Sequence, residues 1–106
     1  MALATGDQDH IGGAWRALGL VATCFQTPMI VNDQTYDARA CFAESLRVYT
    51  GMGAEAERAR TLREWARYEQ AQGARELGGE MRAGARKIFS RLGMSFELER
   101  TAHDTE

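Results

Sequence analysis

Apolar residues along this chain recur at helical rather than strand spacing. Ile11, Ala14, Trp15, Leu18, Ala22 and Phe25 follow the three-and-four step of a helix face, which predicts a first helix over 10–26. Gly12, Gly13 and Gly19 each weaken it by roughly 1 kcal/mol against alanine, but a small residue after Leu18 would let a second helix come close. Thr27-Pro28 ends the stretch, because the residue before proline is pushed out of the helical region. After an apolar triplet, Met29-Ile30-Val31, and the turn formers Asn32-Asp33, the stripe resumes at Ala38, Cys41, Phe42, Ser45, Leu46, Tyr49 and Met52. This predicts a second helix over 36–51, capped by Asp33 or Thr35. Ala59, Leu62, Trp65, Ala66 and Ala71 predict a third over 55–72. Leu77, Met81, Ala85, Ile88, Phe89 and Leu92 predict a fourth over 75–92. Gly53, Gly73 and Gly93 are the stops, with Gly53 suited to a left-handed C-terminal position. The first nine residues read as a frayed lead-in with Asp7 or Asp9 as a cap, and Phe96–Thr101 as a short restart before a polar tail.

The chain nearly repeats itself. Val48–Thr61 and Ile88–Thr101 align with Gly53 on Gly93, Glu57 on Glu97, Arg60 on Arg100 and Thr61 on Thr101, and Tyr49/Phe89 is a conservative pair. The offset is 93 − 53 = 40 residues, a period that marks one supersecondary unit copied and stacked. The first and third predicted helices align with Trp15 on Leu62, an offset of 62 − 15 = 47. Seven extra residues therefore lie inside the first helical pair, at 27–35. The connection between the third and fourth helices is about two residues, which makes them antiparallel neighbours.

Composition narrows the classes without naming one. At 106 residues, 44% hydrophobic and 26% charged, the chain suits one ordinary globular domain. A formal net charge of −2 argues against a dedicated nucleic-acid binder. The opening Met-Ala-Leu-Ala-Thr has neither a basic start nor a secretory apolar run, and no stretch approaches membrane-spanning length, so a cytoplasmic protein is expected. Cys24 and Cys41 have no metal-ligand spacing and are expected to be buried, inert thiols near the same end of their helices. His10 and His103 lack ligand-spaced partners, and no nucleophile–base or paired-carboxylate pattern appears. No catalytic residue, metal or cofactor is expected.

Paired helices with Ala or Gly at close approaches, aromatic fillers and a glycine-ended second helix resemble the tetratricopeptide repeat family, in its long-period bacterial form. The residues that carry the resemblance are Trp15, Leu18, Gly19 and Ala22, then Leu62, Trp65, Ala66 and Tyr68 on first helices. On second helices they are Ala38, Phe42 and Ser45, then Gly78 and Ala85. It implies an all-α fold of antiparallel hairpins stacked as a right-handed superhelix in a single domain over 1–106. Repeat 1 runs over about 10–53 with the insertion at 27–35, repeat 2 over about 54–93, and a capping helix over 94–106. The alternative that shares the packing is a four-helix bundle made by duplication.

The resemblance further implies a non-enzymatic scaffold or adaptor, in bacterial signalling or regulation, that binds a peptide or helix on the inner face of its first helices. By position that face is Arg16, Leu20 and Thr23, then Arg60, Arg63, Arg67 and Gln70. Arg60, Arg63 and Arg67 share one helix face, and guanidinium forks bind carboxylates, so the expected partner is acidic. The plainer account is a solvated face in which Arg60 pairs with Glu57 or Glu64 and Arg67 with Glu64. Met29, Ile30 and Val31 are either an exposed contact surface or a flap folded back over their own hairpin. Trp15 and Trp65 are expected as core anchors. Two repeats are fewer than a solenoid needs alone, and Ile88, Phe89, Leu92, Phe96 and Leu98 lack cover. Self-association as a dimer, or a place at the end of a larger array, is therefore expected. Functions of other classes that remain open are a small-molecule-sensing bundle and, less favoured, a nucleic-acid accessory protein.

Overall fold

A computed structural model describes residues 8–103. Five helices dominate these residues: α1 (Gln8–Phe25), α2 (Ala38–Met52), α3 (Glu55–Ala71), α4 (Arg75–Arg91) and α5 (Ser95–His103). A two-stranded antiparallel ribbon, β1 (Met29–Val31) and β2 (Gln34–Tyr36), joins α1 to α2. No described helix is long and apolar enough to cross a membrane. The chain divides into two compact units, Met1–Ala54 and Glu55–Glu106. The expected Asp7 cap, the lead-in at 1–7 and the tail at 104–106 lie outside the described residues. Asp9 is already helical and is not a cap.

In the first unit α1 and α2 run antiparallel at close range. Ser45 Oγ donates to Gly12 O at 2.8 Å, and a Cβ at Gly19 would sit 2.9 Å from the Phe42 ring. The glycines that weaken α1 as an isolated helix are thus what lets the Tyr49 and Phe42 rings seat against it. Trp15, Cys41 and Val48 form the core, with Ile11, Leu18, Met29, Val31 and Tyr36 packed on it. Phe25, at the end of the predicted stripe, is 71% exposed instead.

The segment after Pro28 is a hairpin with short strands, where the spacing suggested only a loop. Asn32 and Asp33 both take positive φ (51° and 64°), the two-residue turn whose twist suits paired strands. Side chains alternate across a strand, so the apolar triplet divides. Met29 and Val31 fold back onto the core, whereas Ile30 points away and is 75% exposed. Neither Asp33 nor Thr35 caps α2. Both belong to the hairpin, and Asp37 caps the helix by accepting a 2.8 Å bond from the Ala40 amide.

In the second unit α3 and α4 pair through a three-residue turn. Ala59, Ala85, Ile88 and Phe89 make its core, with Leu62, Met94 and Leu98 against it. Trp65 is only half-buried, its indole N–H donating to Glu69 Oε2 at 2.9 Å. Leu62, 47 residues after Trp15, is partly buried against this core, while Trp15 is buried in the first. Leu77 and Leu92 are exposed at the ends of the α4 stripe.

Three helices end in the same way. The Gly53, Gly73 and Gly93 amides bond the carbonyls of Thr50, Gln70 and Ser90, while the following amides of Ala54, Ala74 and Met94 reach Tyr49, Glu69 and Phe89. All three glycines have positive φ (72°, 94° and 71°), as this crossed cap requires. Gln26 holds the corresponding position after α1 at φ 53°.

Candidate partner-binding face

The α3 arginines project from one helix face, but their surroundings differ sharply. Arg63 is 5% exposed, with its guanidinium 5.6 Å from the centre of the Phe89 ring. Its Nη1 donates to Glu97 Oε1 at 2.5 Å. Arg60 Nε donates to the other oxygen, Glu97 Oε2, at 3.2 Å, and Arg60 Nη1 donates to Glu57 Oε2 at 2.6 Å. One carboxylate, carried on α5, thus bridges two α3 arginines. Hydrogen bonding from Arg63 holds the Glu97 carboxyl below the usual carboxylate range against the opposing effect of burial; the charges of Arg63 and Arg60 and the bond from Arg60 add to the shift.

Arg67, one turn further on, has its side chain 58% exposed and reaches Glu64 Oε1 only at 3.5 Å. Gln70 does not project as a free amide, since its Oε1 accepts from Arg82 Nη1 at 2.7 Å. The plainer account therefore holds for the Arg60–Glu57 and Arg67–Glu64 pairs. It misses Glu97, which lies 34 residues beyond Arg63 and could not be reached by helix spacing.

In the first unit, Arg16 is half-buried with its guanidinium 5.6 Å from the Tyr49 ring centre. Leu20 is exposed, and the Thr23 hydroxyl donates back to Gly19 O at 2.8 Å within its own helix. Arg16 and Arg63 are equivalent at the 47-residue offset, and Tyr49 and Phe89 at the 40-residue offset. Each unit therefore places the same cation over the same ring position at the same distance.

Of the residues expected to need outside cover, Ile88 and Phe89 are buried, Leu98 packs on the second core, and Leu92 and Phe96 remain exposed. The expectation of two buried thiols fails for Cys24, which is exposed near the end of α1; Cys41 is buried against the hairpin, its Sγ 3.9 Å from Tyr36 O. Burial, with the nearby Asp37 charge, raises the Cys41 thiol above its ordinary pKa. Among the described residues no group of three or more His, Cys, Asp or Glu could hold a metal ion.

Glu97, Phe89 and Arg82 are the neighbours of this arginine face that spacing does not single out. The one available signal for Glu97 was its alignment with Glu57 in the repeat. Comparison with known proteins adds no family: no family model matches the chain, and no curated protein or solved structure matches it.

Proposed function

We propose that this chain is a non-enzymatic, cytoplasmic protein-interaction module, built of tetratricopeptide-like helical hairpins, that docks an acidic helix or peptide on the arginine face of α3. The observation that supports this is the Glu97 carboxylate bridging Arg60 and Arg63. It is a helix-borne acid recognised by a helix-borne pair of guanidiniums, and charge-assisted bonds of this kind are about twice as strong as neutral ones. Arg67 extends the same face into solvent, where a partner's second acid can reach it.

The test is titration of a labelled amphipathic acidic peptide against wild type and Arg67→Glu. Arg67 is a surface residue, so reversing its charge should leave far-UV circular dichroism unchanged. Binding should fall at least tenfold and weaken with salt. Equal binding by both proteins would sink the acidic-partner reading.

A further inference from the structure

We infer that α5 is a built-in competitor for the α3–α4 surface, a latch that occupies the docking site until a partner's acidic helix replaces it. This deepens the function proposed above and rests on it. The inward positions of the latch are Met94, Glu97, Leu98 and Thr101, at the i, i+3, i+4, i+7 spacing of a helix face. Met94 and Leu98 pack on the core formed by Ala59, Ala85, Ile88 and Phe89; Glu97 takes the two arginines; Thr101 is fully buried. The outward positions Ser95, Phe96, Glu99 and Arg100 are all exposed, with Phe96 at 70%.

α5 therefore displays the pattern a ligand must copy: an apolar residue, then Glu-Leu three and four positions on, then a small residue at the eighth. Several features make the latch separable. It is nine residues long, and the Gly93 cap ends α4 before it begins. Among the described residues Arg63 Nε makes no hydrogen bond and lies 3.8 Å from Glu64 Oε2, so even the closed state leaves a buried donor for a better-fitting acid.

A partner must outcompete a helix tethered by a short turn, whose effective concentration is on the order of millimolar. A free copy of the latch should consequently bind the intact chain weakly, and strongly once the resident copy is loosened. The probe is a labelled peptide of residues 93–103, titrated against full-length wild type, Glu97→Gln and Leu98→Ala. Leu98→Ala leaves every arginine contact intact and guards against misfolding of the first variant. The expected result is at least tenfold tighter binding by both variants, abolished when the peptide itself carries Glu97→Lys. Equal, measurable binding by all three proteins would overturn the latch while leaving the docking face standing. No binding by any folded protein would overturn both.

Discussion

Gly78 and Gly79 are neighbours in α4, and helix propensity alone treats them alike. Replacing either with alanine should stabilise the helix by about 1 kcal/mol. The packing separates them. A Cβ on Gly79 meets nothing within 4 Å. A Cβ on Gly78 would lie 2.9 Å from the backbone oxygen of Ala66 in α3 and collide with Gln70 Cγ. Gln70 could swing aside only by giving up the bond from Arg82, and the α3 backbone can yield only if the two helices separate. Overpacking of this kind costs roughly 1–3 kcal/mol, and a clash with main chain belongs at the upper end. Gly78→Ala should therefore lose about 1–2 kcal/mol net, against a gain of about 1 kcal/mol for Gly79→Ala. For a domain of this size each kcal/mol moves the midpoint by about 4–8 °C, so the two variants should straddle wild type. Urea and thermal denaturation followed by circular dichroism decide the matter. If both variants gain stability equally, α3 and α4 are not in contact at Gly78 and the close hairpin is wrong.

Further outcomes follow from single contacts. Asp37→Ala removes the only side-chain cap seen on α2 and should cost about 1 kcal/mol by denaturation, with Asp37→Ser recovering most of it. Gln26→Gly relieves a left-handed backbone at the end of α1 and should raise the midpoint by a few degrees. In native protein a thiol reagent should label one cysteine quickly and the other only on unfolding, and Cys24→Ser should remove the fast phase. The Glu97 carboxyl is depressed by folding, so its stabilisation is complete above the unfolded carboxylate pKa of about 4.3 and is lost as pH falls through the lower folded value. Amide exchange in α5, corrected for intrinsic rate, should accelerate over that acidic range, and in Glu97→Gln it should be fast throughout.

Helix positions were legible because each rests on a local signal. The three glycine stops, the three-and-four stripes and the restart at Phe96 place helix ends within about two residues of those observed. The strands are not legible in the sequence because three residues each are too short for an alternation to stand out, although Asn32-Asp33 carries the turn. Stripe periodicity also overstates the core at its ends: Phe25, Met52, Leu77 and Leu92 keep the phase of the buried face yet are exposed. At the candidate site, spacing brought Arg60 and Arg63 together but could say nothing of Glu97 or Phe89, whose approach depends on how α4 and α5 return to α3. Charge at a helix surface reads the same in sequence whether water or a distant carboxylate satisfies it. Burial of Arg63 is what distinguishes the two, and burial is a tertiary property.

The length of α5 fixes how its release must look. A helix of nine residues is marginal in water by itself, since isolated helices shorter than about 12–15 residues rarely persist. Its helicity is thus maintained by Met94 and Leu98 against the α3–α4 core, by the burial of Thr101 and by the Glu97 bonds, and leaving the surface means unfolding. When it leaves, Arg60, Arg63 and Glu97 all regain water, so the ion pairs contribute only the modest surplus of charge-assisted bonds over hydration. The latch then holds by a small difference between burial and ordering entropy, the condition under which a competitor can shift it. A partner whose acidic helix is already folded, in a longer element or a stable domain, avoids the ordering cost that α5 incurs at every closure. Displacement should accordingly favour stapled or domain-borne helices over flexible peptides of identical sequence, and a preference in the opposite direction would contradict coupled folding of the latch.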